Sequence, residues 1–533
     1  MRPTREPIAV NVQELETLLE RAWPGRLEEA EYQKLRAAIH TLGYLAELLR
    51  ERNITIQDLR ELLLSPAPAS TEKTREVLKQ AGIESQTKNQ EKNSPGSRNQ
   101  SRPGHGRNGA DAYSGAQKIK VAHASLHSGD RCPECGKGKV YALQAPGVLV
   151  RLVGQAPIAG TLYELEKLRC NLCLEVFTAE APAGVGEEKY DATAASMMAL
   201  LKYGSGMPFH RLGGLQEKLE IPLPASTQWG ILQETAEQIQ PALEELIQQA
   251  AQGEVLYNDD TGMKVLGLDT PDPPERRGVF TSGIVSTREG QRIALFFTGR
   301  RHAGENLSTV LARRATELSP PIQMCDALSR NLPKTLAVIL GHCLAHGRRR
   351  FVKVAQNFPN QCQFVLETLA EIYHNDELAR EQGMSAEQRL AFHQTRSGPV
   401  MEGLHAWLTA QFEEKKVEPN SGLGQAISYL LNHWPELTLF LRQPAAPLDN
   451  NICERALKKV ILHRKNALFY KSQNGARVGD LFMSLIHTCE LCGANAFAYL
   501  TELQRHAAEL ASNPRNWMPW NYGPTLGQLD TVA

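Results

Sequence analysis

Apolar residues recur at two different periods along this chain, and the changes of period divide it into segments. Leu15, Leu18 and Leu19, then Leu35, Ile39, Leu42, Leu45, Leu48 and Leu49, fall at helical spacing, and Ile54 to Leu64 adds a short amphipathic helix. Residues 1–65 therefore read as a helical module. From about Ser65 to Ala110 Ser, Pro, Gly, Asn, Gln and Lys take over and large apolar residues almost vanish after Ile83, so 66–115 reads as a flexible linker. Helical spacing returns in 182–250. Tyr190 to Tyr203 is a small-residue amphipathic helix, and Pro208 to Trp229 reads as helix, proline-containing turn and a helix begun by Ser226-Thr227. That arrangement fits either a helix-turn-helix, with Arg211, Lys218, Ser226 and Gln228 near DNA, or a packing-only helical collar.

Strand-like runs then take over. Val255 to Tyr257, Gly278 to Ser286, Arg292 to Thr298, Ile322 to Cys325 and Ala337 to Leu340 read as strands, with a helix near Gly304 to Leu318. The first three give an antiparallel meander, and the whole predicts a mixed five-stranded sheet with helices over 251–355. A charge-rich helical pattern over 356–446 interrupts this core, which resumes over 447–490 before a C-terminal tail, 491–533.

Composition changes this picture little. A chain of 533 residues with 42% hydrophobic content has ample material for several cores. No apolar run approaches the length of a membrane span, and the N-terminal MRPTREPIAV lacks a signal-peptide core, so a cytoplasmic protein is expected. The formal net charge is zero, so any DNA-binding face must come from local clusters of basic residues. Two CxxC pairs, Cys132/Cys135 and Cys170/Cys173, offer the four thiolates of a closed tetrahedral zinc ribbon over 116–181, with Arg131, Lys137, Lys139, Lys167 and Arg169 beside them. A closed site folds a module and does no catalysis. Cys489 and Cys492 lie in an apolar helical stretch and read as core thiols.

The chemistry gathers at three carboxylates. Asp259 and Asp260 end the run EVLYNDDTG, Asp326 ends IQMCD, and Glu454 lies on a helix that Asp449 or Asn450 can cap and that buries Ile452, Ala456 and Val460. Two strand-borne aspartates and a late helix-borne glutamate suit hard divalent ions, because Mg2+ prefers oxygen ligands.

These blocks resemble the insertion sequence 66 family of transposases. Tyr257-Asn258-Asp259-Asp260-Thr261 is similar to the family's first acidic block, and Cys343 to Phe351 to its CWAHxRRxF block, with Leu344 in place of the tryptophan. Asp449 to Phe469 is similar to its DNNxxERxxR…RKNxxF block, and Trp517 to Asn521 to its closing motif. The resemblance implies an RNase H-like catalytic core and a DDE triad of Asp259, Asp326 and Glu454, with Asp260 as the alternative first carboxylate. It implies Mg2+ or Mn2+ as cofactor beside structural Zn2+, and metal-dependent cleavage and strand transfer on double-stranded DNA at element ends and target. Arg348, Arg349, Arg350, Arg455, His463, Arg464, Lys465 and Asn466 are the expected DNA contacts. At least a homodimer is expected, small accessory proteins of the same element are candidate partners, and residues 1–65 would bind DNA or oligomerise. Two other classes fit the residues: an RNase H-like nuclease without strand transfer, and a zinc-bearing DNA-binding protein with inert carboxylates.

Overall fold

The structure, a computed structural model, describes residues 124–532 except 136, 142–153, 170–175, 187, 269–277 and 334–336. The expected N-terminal module and linker, and the cysteines Cys170 and Cys173, lie outside the described residues. The chain divides into two compact units, 1–84 with 352–367, and 85–351 with 368–533. Of the first, the described part is the end of one helix and the start of the next.

Near the start of the second unit, β1 (Lys167–Arg169) and β2 (Val176–Thr178) pair antiparallel. Three helices follow, α1 (Ala192–Ala199), α2 (Phe209–Lys218) and the 26-residue α3 (Ala225–Ala250). Gln228 does not face outward at the α2–α3 turn. It is fully buried, and its amide donates to Phe209 O and Leu223 O, closing the turn from inside.

The sheet is built from β3 (Val255–Gly262), β5 (Phe280–Arg288), β6 (Gln291–Gly299), β7 (Ile322–Cys325) and β8 (Ile339–His342), with the short β4 (Val265–Gly267) set apart. Its order is β6-β5-β3-β7-β8. The β3–β5–β6 meander is antiparallel, whereas β7 joins β3 in parallel after a crossover through α4 (Ala303–Leu311), and β8 joins β7 in parallel. The apolar residues that open the central strands β3 and β7 are covered on both faces: Val255, Leu256, Ile322 and Met324 are at most 4% exposed.

After β8 come α5 (Leu344–Val354) and α6 (Pro359–Glu381), then α7 (Ala386–Arg396), α8 (Gly398–Glu413), α9 (Gly422–Asn432) and the one-turn α10 (Trp434–Leu437). The chain then returns to the sheet through α11 (Asn451–Ala467), which lies on β3 and β5. A glycine permits that close approach. A Cβ on Gly283 would stand 3.0 Å from Leu457 Cδ2 and 3.5 Å from Cys453 Sγ, so a side chain there would press Leu457 aside. The short β9 (Tyr470–Ser472) pairs with β4, and α12 (Gln473–Cys492), α13 (Ala496–Arg505), α14 (Ala507–Ser512) and α15 (Tyr522–Val532) complete the chain.

Strand β6 is an edge, and α12 covers it. Asp480, Ser484 and Thr488, four residues apart, accept the free backbone N–H groups of Thr298, Phe296 and Ala294 at 2.6, 3.0 and 3.1 Å. The match is geometric: four helical residues rise about 6 Å, and two strand residues about 6.6 Å. The edge therefore has no row of open donors for another chain to pair with. Asp480 also accepts from Thr298 Oγ1 at 2.7 Å, and burial raises its carboxyl to about 7. Further along, Cys489 is fully buried in the core, and the partly buried Cys492 donates to Arg292 O, as core thiols would. Trp517 and Met518 are at most 1% exposed, and Trp517 stacks on His506 at 4.9 Å, so the closing motif docks the tail.

Candidate active site

Asp259 and Asp326 come together. In the β3–β7 register Tyr257 lies beside Met324, and each aspartate follows two residues later, so alternation brings both carboxylates to the same end of the sheet. The side-chain amide of Asn331 joins them. Its Nδ2 donates to Asp326 Oδ1 in a short hydrogen bond and to Asp259 Oδ1 at 3.4 Å. Asn331 is itself fixed, because its carbonyl accepts from Asn258 Nδ2 at 2.8 Å and Gln323 Nε2 at 2.7 Å. Asn331 stands in the IQMCDALSRN stretch, but a polar residue five positions past a strand carries no periodic signal. Only the fold shows that its short helical turn, Ser329–Asn331, returns over the strand ends.

The pair is electrostatically uncomfortable. Burial raises the Asp259 carboxyl to about 7, with the Asp326 charge as the next cause. Burial likewise raises Asp326, against opposing pulls from His346, Asn331 and Arg330. Two like charges at a poorly solvated strand end make a site in which a cation is favoured.

Asp260 turns the other way. Its carboxylate, 1% exposed, meets His302 Nδ1 at 2.8 Å and Arg330 Nη2 at 3.2 Å. It is thereby spent in tying β3 to the start of α4 and to the turn that carries Asn331.

Glu454 reaches the same region from the first turn of α11. The N-terminus of that helix is pinned, since Asn450 Nδ2 donates to Asn258 O at 3.2 Å and Asn450 N to Cys343 Sγ at 3.2 Å. Asp449, not Asn450, takes the capping role, accepting Asn451 N–H at 3.0 Å. The Glu454 carboxylate lies 3.3 Å from Arg349 Nη2 and 3.7 Å from His346 Nε2, both on α5. Burial, then Arg349, pulls His346 below the usual histidine range, against opposing pulls from Glu454 and Asp326. Among the described residues, two trios of metal-capable atoms lie within 4.8 Å of one another: Cys343 with His346 and Glu454, and His342 with His433 and Glu436. Asp259, Asp326 and Glu454 do not form such a trio, because Glu454 is turned to its α5 partners.

The expected DNA-contacting residues separate into groups. Arg349 is held by Glu454, Arg348 is half-buried, and the exposed Arg350 stacks its guanidinium 3.9 Å over the Tyr429 ring. Arg464 donates to Thr261 Oγ1 at 3.2 Å and to Gly262 O, locking α11 to the end of β3. Arg455 and Lys465 are exposed, and Asn466 is half-buried. His463 is a correction to the expected basic run. It is 1% exposed, sandwiched between Tyr470 at 4.9 Å and Tyr203 at 6.0 Å, and burial lowers its pKa to about 3. A neutral ring at this depth has nothing to offer a phosphate; it packs the helix.

Cys132 and Cys135 sit on a tight knuckle. Cys132 N donates to Gly138 O at 2.8 Å, and Gly138 N donates to Cys135 Sγ at 3.4 Å. The Gly138 and Lys137 backbone amides lower the Cys135 pKa, which favours the thiolate a metal needs. The second pair, Cys170 and Cys173, falls in the segment between β1 and β2.

The family model for the IS66 family of transposases matches residues 189–478, more than half of the chain. Three curated relatives, all from Sinorhizobium fredii, are named only as uncharacterized proteins. The chain is 32% identical to y4jD over 259 residues, 47% of this chain and 46% of that one. It is 31% identical to y4hP over 36% of each chain, and 25% identical to y4qI over 61% of this chain and 62% of that one. The matches thus span about a third to three fifths of these relatives. The matched segment contains the whole five-stranded sheet, Asp259, Asp326 and Glu454, and the chain belongs to the IS66 family of transposases.

Proposed function

We propose that this transposase binds the ends of its element, cleaves DNA there, and joins the exposed 3′-hydroxyls to target DNA. Asp259, Asp326 and Glu454 are the catalytic carboxylates of an RNase H-like core, a reading the sheet order β6-β5-β3-β7-β8 supports. The observation that carries it is the pair of half-buried aspartates brought together at the ends of two neighbouring parallel strands, with Asp259 raised to about 7. The donor set fits a hard divalent ion: the oxygens are carboxylate, and their mutual repulsion is what a cation relieves. Mg2+ or Mn2+ held there supplies Lewis-acid charge for attack on a phosphodiester. The chain's own residues do the positioning. Asn331 spaces the two aspartates, Asp260 fixes the strand that presents Asp259, and Arg349 and His346 hold Glu454 in reserve on α11. Engagement of Glu454 with the aspartates requires it to give up those α5 contacts, which frees Arg349 for a phosphate.

Arg348, Arg349, Arg350, Arg455, Arg464, Lys465 and Asn466 are proposed to hold DNA, and the buried His463 packs beneath Arg464 and Lys465. Cys132, Cys135, Cys170 and Cys173 are proposed to bind a structural zinc ion. Two DNA ends held together imply at least a dimer, with small proteins of the same element as candidate helpers. No described helix is long and apolar enough to cross a membrane, and a cytoplasmic location fits the DNA substrate. The test is Glu454→Gln. It should abolish cleavage of end-bearing DNA while leaving end binding intact; loss of binding with cleavage would make Glu454 structural and overturn the assignment.

A further inference from the structure

The second trio, His342, His433 and Glu436, lies outside the carboxylate site. His342 ends β8, the edge strand of the sheet; His433 stands between α9 and α10; Glu436 is in the single turn of α10. The three residues come from a strand and from a helical insertion about ninety positions later, so nothing local explains their meeting. One ligand atom from each lies within 4.8 Å of the other two. Three atoms each bound about 2.1 Å from one ion lie at most about 3.6 Å from one another, so side-chain rotation closing up to about 1.2 Å completes the set. His342 is only 5% exposed, yet its Nδ1 has no hydrogen-bond partner in the protein. A buried imidazole nitrogen without a partner is costly unless something binds it. The His342 and His433 rings meet edge to face at 5.0 Å, and Tyr429 packs on His433 at 4.9 Å, which fixes the ring directions.

We propose that His342, His433 and Glu436 bind a divalent transition metal of the zinc class, bolting the helical insertion to the sheet edge. Two imidazoles and one carboxylate are borderline ligands of the kind Zn2+ takes, unlike the all-carboxylate set that suits Mg2+. His433 and Glu436 are half-buried, so the fourth position faces solvent and would hold a water. The site acts on architecture. β8 runs directly into the helix bearing His346 and Arg349, so a metal tying β8 to α10 stiffens the platform that holds Glu454.

The experiment compares zinc content of the purified full chain with that of His433→Asn and Glu436→Gln after dialysis against a weak chelator. Every CxxC pair is present in all three proteins, so the comparison is independent of any zinc ribbon. Each variant should carry one equivalent of zinc less per chain than the parent. With Co2+ substituted, the parent-minus-variant difference spectrum should show visible d–d bands without a near-ultraviolet thiolate band. Zn2+ should also raise the melting temperature of the parent more than that of Glu436→Gln, a nearly isosteric change that keeps the ring packing if His433→Asn misfolds. Equal zinc content in the parent and a folded variant would show that the two histidines merely pack, and would overturn the proposal. A thiolate band in the difference spectrum would do the same, by placing the lost ion on cysteine.

Discussion

Replacing Asp259 by Asn removes one charge from the carboxylate pair and almost nothing else, since the new carbonyl can still accept from Asn331 Nδ2 and from Asp260 N–H. The folded carboxyl titrates at about 7, against an ordinary value of 3.8. Between those values the folded chain holds a proton that the unfolded chain has lost, so stability falls as pH rises through this window and the penalty is complete above about pH 7. At roughly 1.4 kcal/mol per unit, the difference corresponds to about 4 kcal/mol as an upper bound. Asp259→Asn should therefore be more stable than the parent at pH 8 by up to ~4 kcal/mol, several degrees in melting temperature, and indistinguishable below about pH 4. Asp480 is buried and raised as well, but it is common to both proteins and cancels in the difference. The assay is thermal unfolding of both proteins from pH 4 to 8, with and without Mg2+. Added Mg2+ should stabilise the parent at pH 8 and narrow the gap. A parent-to-variant difference that is flat with pH would refute the account of a repelling, desolvated pair, and a Mg2+ effect equal in both proteins would refute its relief by metal.

His463→Ala should cost about 2 to 4 kcal/mol, read by thermal unfolding, because it empties a stacked, buried position. Lys465→Ala, two positions on and exposed, should leave the melt unchanged and reduce the salt slope of DNA binding by about 1. The parent's advantage over His463→Ala should also shrink below pH 6.5: unfolded His463 takes a proton there, whereas the folded ring resists until about pH 3, so its contribution is full above pH 6.5 and lost on acidification. Gly304→Ala should destabilise by about 1 to 3 kcal/mol and impair cleavage, since its Cβ would lie 2.3 Å from Leu332 O and 2.8 Å from Arg330 O, pushing α4 off the turn that positions Asn331. Normal melting and cleavage would show that the turn relaxes freely.

The periodicity of the sequence determined the meander, the crossover and the late helix, because burial of β3, β5, β6, β7 and α11 imposes apolar spacing that can be read without neighbours. It also brought out Asp259, Asp326 and Glu454, since a carboxylate that interrupts an apolar pattern is visible locally. It could not choose between Asp259 and Asp260. Adjacent strand residues face opposite ways, and which way is inward depends on where Asn331 and His302 arrive from elsewhere in the chain. Nor could it separate His463 from Lys465: both are polar residues in one basic run, and only the packing of Tyr203 and Tyr470 puts one ring in the core and leaves the other side chain in solvent. The holders of Glu454 and the His342–His433–Glu436 cluster were beyond reach for the same reason. Their members are joined by long-range contacts, and long-range proximity is a property of the folded chain, not of any window along it.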